Sequence, residues 1–206
     1  MPSDGLTLGF DTSAAHCAAA LLSGTRVLAE RVEPMARGQA ERLMPLLQEV
    51  LDDAGAGWGD LTRIGVGVGP GNFTGIRIAV SAARGLSLGL GIPAVGVDTL
   101  NAAALDAPRP ALAAVPATGG RFYLGRFDAA GAMTTETLTL EQLPQGPILT
   151  YAEDALAAHT APIHSLAVAI ARLAQAAEGE ITPPEPLYLR AADAAPARDA
   201  PPVMLD

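Results

Sequence analysis

The segment that most constrains the fold is a glycine-rich stretch at residues 65–79, which reads GVGVGPGNFTGIRIA. A short apolar run leads into a Gly-Pro-Gly turn, and a helical pattern begins about residue 74. Glycine permits positive φ angles and lets neighbouring backbone come close. Asn72 and Thr74 can accept hydrogen bonds from the free amides of the first helical turn. The stretch predicts a strand, a tight turn and a helix start, and we call residues 69–75 the glycine elbow.

The elbow has two interpretations, a phosphate cradle and a structural turn. Free amides and the helix dipole favour anions, and a carboxylate at the end of the first predicted strand could hold a metal-bound phosphate there. However, a Walker loop requires a lysine, and a dinucleotide fingerprint requires G-x-G-x-x-G. The chain has arginines but no lysine, so we favour the structural turn. The candidates for a degenerate nucleotide site are Asp11, Gly69, Gly71, Thr74 and Gly75.

The amino-acid composition and net charge exclude several classes of function. The net charge of −9 makes the surface as a whole repel nucleic-acid phosphates. Absence of lysine excludes P-loop and Schiff-base lysine chemistry. The lone Cys17 excludes an internal disulfide and fits a reducing compartment. The apolar run at residues 17–22 is too short to cross a bilayer, and residues 1–4 lack the basic start of a signal peptide. We therefore expect a soluble cytoplasmic protein.

The first half of the chain has the pattern βββαβαβ followed by a short helix. Three antiparallel strands followed by helix-linked parallel strands are typical of a ribonuclease-H-like or actin-like lobe. This lobe is predicted over residues 1–107. Its predicted strands are residues 6–10, 17–22, 26–32, 61–68 and 93–97, and its predicted helices are residues 39–54, 75–88 and 99–107.

Residues 108–110 mark a boundary, after which a smaller and degraded copy of the same plan begins. It has three strands, a vestigial helix, a strand and a helix, so residues 108–206 are predicted to form a reduced second lobe with a mobile tail. The whole chain is thus predicted to be a two-lobed α/β protein of actin-like architecture. The elements are predicted at residues 112–115, 122–127, 134–140, 141–143, 148–151 and 164–177, with a strand-like segment at 187–189.

Two helices of the first lobe are more apolar than one lobe requires. The helix at residues 39–54 is predicted to pack one side on the sheet and the other side on a partner. The helix at residues 75–88 is predicted to be buried, either in its own core or against another subunit. The predicted partner-binding residues are Leu43, Leu46, Leu47, Val50, Ile76, Ala79, Val80 and Ala83.

No catalytic or metal-binding set is predicted. His16, His159 and His164 are far apart or spaced unlike a helical metal pair. Cys17 lies in an apolar strand and is predicted to be a core residue. None of the serines lies in the strand–turn–helix motif of a hydrolase nucleophile.

The motif GPGNFTGIRIA resembles the hallmark motif of the TsaB (YeaZ) family, the accessory subunits of bacterial threonylcarbamoyladenosine synthesis on tRNA. Further matching segments extend the resemblance over nearly the whole chain. They are LGFDTSAAHCAAAL, QAERLMPLLQEVL, PAVGVDTL and PLYLR.

This resemblance implies an actin-like ATPase (ASKHA) fold and a noncatalytic role. The two apolar helices would form a helical bundle with a TsaD-type transferase, or with a second copy in a homodimer, and a TsaE-type ATPase would act with them. It implies no direct tRNA binding and no cofactor, with a place for ATP only at the contact with partner subunits. The second lobe is shorter than usual, and PATGGRFY at residues 116–123 replaces a charged segment of the family.

Two alternatives remain. An actin-fold small-molecule kinase would use Asp11 and the glycine elbow to bind ATP. A glycoprotease-like peptidase would require a metal or nucleophile set that the sequence does not assemble.

Overall fold

A five-stranded mixed sheet forms the larger lobe. The structure, a computed structural model, describes residues 5–156 and 159–189, so the predicted tail beyond residue 189 lies outside the described residues. The strand order is β3-β2-β1-β4-β5, with β1 antiparallel to β2 and parallel to β4. This is the predicted actin-like topology. The strands are β1 (Leu6–Asp11), β2 (His16–Ser23), β3 (Arg26–Pro34), β4 (Leu61–Gly69) and β5 (Ala94–Asp98).

Helices cover both faces of this sheet. Strands β1, β2 and β4 are buried almost throughout, which explains their continuous apolar sequences, whereas the edge strand β3 alternates between exposed and partly buried residues. Helices α1 (Gln39–Asp53) and α2 (Phe73–Leu90) share one core with the sheet. Helix α2 begins two residues before and ends two residues after the helix predicted at residues 75–88. The short helix α3 (Thr99–Ala103) follows β5.

The smaller lobe is a three-stranded antiparallel sheet. Its strands are β6 (Ala111–Ala117), β7 (Arg121–Phe127) and β8 (Met133–Thr139), in the order β6-β7-β8. The predicted helix at residues 141–143 is a single 3₁₀ turn, Leu140–Gln142. The predicted strand at residues 148–151 is reduced to isolated bridges from Leu149 to Ala113 and Thr160.

The last helix, α4 (Leu166–Ala176), packs on the larger sheet and not in the smaller lobe. Its small residues lie so close to β1 and β4 that a Cβ at Gly9 would come within 2.5 Å of the Ala167 carbonyl oxygen. Arg63 of β4 donates to the carbonyl oxygens of Ala174 and Ala177 at the C-terminal end of α4, both at 2.7 Å. The prediction that residues 108–206 form one smaller lobe is therefore corrected. An apolar helix pattern does not specify which sheet the helix covers.

The segment after α4 joins the two lobes, and we call residues 182–189 the C-terminal strap. The backbone N–H of Leu187 donates to the Val68 carbonyl at 2.8 Å, which is its one backbone bond to β4 given by the structure within the described residues. Leu187 packs against the core of the larger lobe, whereas Leu189 packs against the core shared by α3 and the smaller sheet. The predicted strand at residues 187–189 is thus extended chain that lies across both lobes.

Within residues 5–156 and 159–189, no helix combines the length and the apolar character needed to cross a lipid bilayer.

Candidate functional site

The glycine elbow is a sharp turn between β4 and α2. Gly69 has a φ of 99°, which a residue with a side chain rarely adopts, and the Gly69–Pro70 peptide is cis. The side chain of Asn72 accepts a hydrogen bond from the Gly75 N–H at 2.9 Å and caps α2. The predicted strand, turn and capped helix start are therefore present, with Asn72 as the capping residue.

The loop between β1 and β2 fills the space over the elbow. Thr12 Oγ1 donates to the Gly75 carbonyl at 2.7 Å, and the Asn72 N–H donates to the Ser13 carbonyl at 2.6 Å. A Cβ at Gly75 would collide with the Thr12 carbonyl oxygen, and one at Gly71 would lie 2.5 Å from that of Ser13. These two glycines are needed because the chain's own backbone packs against them.

The side chain of Asp11 lies beneath the same loop and accepts hydrogen bonds from it. It is fully buried, and its Oδ1 accepts hydrogen bonds from the N–H of Ser13 at 2.8 Å and from its hydroxyl at 2.9 Å. Nε2 of His16 lies 2.7 Å from the same oxygen. Oδ2 packs over Gly67, where a Cβ would collide with it. Burial, followed by the negative charge of Asp11, raises the pKa of the Tyr151 phenol above its usual range. The carboxylate is therefore fully buried.

A cavity of about 720 Å³ lies between the lobes beside the elbow. Of the five candidates for a nucleotide site, Gly71, Thr74 and Gly75 are on its wall, together with Arg37 of the loop before α1 and Tyr123 of β7. The other two candidates, at positions 11 and 69, do not line it. Asp11 is buried beneath the loop after β1, so its carboxylate does not face the cavity that the elbow glycines line.

The eight predicted partner-binding residues lie in the core of the larger lobe. Their side chains are at most 3% exposed, so a partner cannot touch them in this conformation. The apolar stripes on α1 and α2 face the sheet and each other, and they are corrected here to core residues. They are Leu43, Leu46, Leu47, Val50, Ile76, Ala79, Val80 and Ala83.

Beside this core, the outer sides of α1 and α2 form a shallow apolar groove of about 620 Å³. Met44 is 42% exposed at its edge. The indole N–H of Trp58 donates to the side chain of Gln48 at 2.7 Å, which fixes one wall. We call this surface the α1–α2 groove. Its lining residues are Met44, Pro45, Gln48, Trp58, Gly85, Leu86, Gly89 and Leu90.

An ionic cluster holds α1 against β3. Arg42 Nη2 lies 2.6 Å from Glu33 Oε1 and 2.7 Å from Glu49 Oε2, and Arg31 Nε lies 2.8 Å from Asp53 Oδ2. Hydrogen bonds from the Arg42 guanidinium hold the pKa values of Glu33 and Glu49 below their usual range. This cluster fixes the position of one helix of the groove.

The side chains with reactive chemistry are dispersed. Burial, with a contribution from Glu33, raises the pKa of the Cys17 thiol to about 11, so Cys17 is the predicted inert core residue. His164 Nε2 lies 2.8 Å from Asp106 Oδ2, and His159 Nδ1 lies 2.9 Å from the Leu156 carbonyl oxygen. Within residues 5–156 and 159–189, no group of three or more His, Cys, Asp or Glu side chains is placed to hold a metal ion.

The sheet order, the smaller second sheet and the cleft between them define a protein with an actin-like α/β fold. A family model described as TsaD, tRNA N6-adenosine threonylcarbamoyltransferase, matches residues 27–143. The solved structure of YeaZ from Pseudomonas aeruginosa is 32% identical, with a TM-score of 0.59 over 68% of this chain and 70% of that one. The chain belongs to the TsaB (YeaZ) family.

The chain is also similar to two further proteins and to a second solved structure. TsaB of Escherichia coli K12 is 35% identical over 125 residues, which are 58% of this chain and 54% of that protein. An uncharacterized Mycobacterium tuberculosis protein is 34% identical over 183 residues, which are 82% of this chain and 83% of that one. A second Pseudomonas aeruginosa structure, described as similar to peptidase YEAZ, has a TM-score of 0.72 at 26% identity, covering 90% of this chain and all of that one. The chain matches 54% and 60% of the lengths of the first two curated TsaB relatives.

Proposed function

We propose that this chain is an accessory subunit in the threonylcarbamoylation of the adenosine next to the tRNA anticodon. It pairs through α1 and α2 with a TsaD-type transferase subunit, which carries the catalytic site, and a TsaE-type ATPase acts with the pair. Relatives in Escherichia coli and Buchnera aphidicola bear the name tRNA threonylcarbamoyladenosine biosynthesis protein TsaB. The observation that carries the proposal is the α1–α2 groove, an open apolar surface on the two helices that the family resemblance assigns to pairing.

The shape of the groove suits another helix. On α2, Gly85 and Gly89 are one turn apart, and a Cβ at either position would meet nothing within 4 Å. Small residues let a second helix axis come close. Met44 on the facing helix has a flexible side chain that adapts to a partner surface. The groove therefore provides small residues on one side and an adaptable apolar side chain on the other.

The proposal leaves the elbow without a nucleotide of its own. The loop after β1 occupies the space over Gly71 and Gly75, and Asp11 is enclosed. The chain therefore acts through its surface, and ATP has a place only at the contact with partner subunits. In the absence of a partner, the same groove would bury its apolar residues in a homodimer, and tRNA would be held by the other subunits.

The proposal is tested by mixing the purified chain with the TsaD-type subunit of the same organism and measuring masses by size-exclusion chromatography with light scattering. We expect a one-to-one complex in place of a self-dimer. Met44→Glu should prevent the complex, because it introduces a charge into the apolar groove. The matched control is Leu140→Glu, which is also exposed but lies after β8 in the smaller lobe.

Two outcomes would contradict the proposal. A complex unaffected by Met44→Glu would mean that the groove is not the contact. No complex at all, together with ATP binding by the isolated chain, would favour the kinase alternative, in which the cavity between the lobes holds the nucleotide.

A further inference from the structure

Two aromatic rings and an arginine form an exposed cluster at the first turns of α2. The rings of Phe73 and Tyr188 stack with centroids 5.1 Å apart, and the Arg77 guanidinium carbon lies 3.9 Å from the Phe73 centroid. Arg77 Nε donates to the Tyr188 hydroxyl at 2.9 Å. Phe73 is 52% exposed and Tyr188 is 43% exposed. We call these three residues the aromatic–arginine cluster.

The cluster is held from two directions. Phe73 and Arg77 are one turn apart on α2, whose start is fixed by the Asn72 cap. Tyr188 belongs to the C-terminal strap, where its neighbour Leu187 is bound to β4 and packed in the core of the larger lobe. The guanidinium is therefore oriented before any ligand arrives, which reduces the entropy lost on binding.

The hydrogen-bonding capacity of Arg77 is only partly used. Arg31, Arg42 and Arg126 each form an ion pair with a carboxylate of the chain. For Arg77, by contrast, no carboxylate lies within ion-pair distance among residues 5–156 and 159–189, and its hydrogen bond uses Nε. A guanidinium has five N–H donors. The terminal Nη groups are thus available to a planar acceptor, and carboxylates match that geometry with two parallel bonds.

The charge of this surface indicates the kind of ligand. Helix α2 carries Arg77 and Arg84 and no acidic residue, whereas the chain as a whole has a net charge of −9. The rest of the molecule would repel a polyphosphate backbone, which carries many charges, much more strongly than a single carboxylate on a protein surface. Exposed aromatic and arginine side chains are also the residues that most often dominate protein–protein contacts.

We infer that the aromatic–arginine cluster is a second docking point, separate from the α1–α2 groove, for an acidic segment of the transferase subunit. A carboxylate of that segment accepts hydrogen bonds from both Nη groups of Arg77, and its aliphatic part packs on Phe73 and Tyr188. This inference rests on the proposed function, because the occupant is the proposed partner.

The test measures the dissociation constant between the full chain and the purified TsaD-type subunit by calorimetry at low and at physiological salt. Arg77→Gln should weaken binding by about tenfold and reduce the salt dependence. Arg77→Lys keeps the charge but loses the two-bond geometry, so most of this loss should remain. The matched control, Arg84→Gln, removes the same charge two turns along α2, and it should change affinity less than about twofold. Thermal unfolding of each variant checks that the fold is intact.

Each outcome distinguishes the inference from the proposed function. If Arg77→Gln binds like the unmodified chain while Met44→Glu fails, the pairing function stands and the inference is wrong. If Arg77→Gln loses affinity for an anticodon stem-loop RNA and not for the transferase subunit, the cluster is an RNA contact and the inference is also wrong. If the unmodified chain does not bind the transferase subunit, the proposed function and the inference fail together.

Discussion

Helix α2 has glycines at both ends that serve opposite purposes. Gly75 at its start is covered by the backbone of Thr12, so a side chain there would collide with the chain itself. Gly85 and Gly89 near its end face open space. The same residue type thus closes the fold at one end and leaves an open surface at the other. The comparison shows that a buried close approach explains the glycine at the elbow, whereas no contact within the described part of the protein explains the glycines of the groove.

The largest expected effect comes from adding one methyl group at each end of this helix. Gly75→Ala should destabilise the protein by about 3 kcal/mol, because the new Cβ displaces the loop after β1. Gly85→Ala should instead stabilise it by about 0.5–1 kcal/mol, because alanine favours a helix and meets no neighbour. Urea denaturation measures both. Equal effects at the two positions would contradict the comparison.

The cap at the elbow gives the next largest effect. Asn72→Ala should cost about 1 kcal/mol of unfolding free energy, since the Gly75 N–H loses its acceptor. Thr74→Ala is the matched control, because Thr74 is exposed and the cap bond given by the structure comes from Asn72. Denaturant titration of both variants tests this, and a larger loss at Thr74 would identify it as the cap.

The position of α1 in the α1–α2 groove depends on the ionic cluster that holds this helix against β3. The pKa values of Glu33 and Glu49 are lower in the folded chain than in the unfolded chain, so the unfolded chain binds more protons in acid. Their contribution is complete above the unfolded pKa of about 4.3 and is lost as pH falls through the folded values. Arg42→Gln should flatten this part of the profile of unfolding free energy against pH. An unchanged acid profile would show that the cluster contributes nothing.

The smallest expected effect concerns Cys17, which we expect not to react in the folded protein. Cys17 is buried and its pKa is raised to about 11, so little thiolate forms at neutral pH. Iodoacetamide should leave the native protein unmodified and alkylate it in urea, as mass spectrometry would show. Rapid native alkylation would mean that the larger lobe opens around β2.

The sequence predicts features that depend on neighbours along the chain. The strand, elbow and capped helix are signalled by apolar periodicity, glycine and Asn72 within a few residues of one another. The prediction that residues such as Leu46 and Val80 contact a partner is wrong, because an amphipathic stripe packs equally well on its own sheet or on a partner. For the same reason, the sequence does not predict which sheet α4 packs on. The cluster of Arg77 and Tyr188 joins residues 111 positions apart, and an exposed aromatic beside the elbow is the one local sign of it.

The C-terminal strap has a mechanical consequence. Two lobes rotate freely about a hinge only if the segments that connect them lie near the hinge axis. A segment that contacts both lobes away from that axis resists the rotation. Leu187 packs against one core and Leu189 against the other, and both are partly buried, so opening the cleft would break one of these two contacts. The strap therefore opposes a change in the angle between the two lobes.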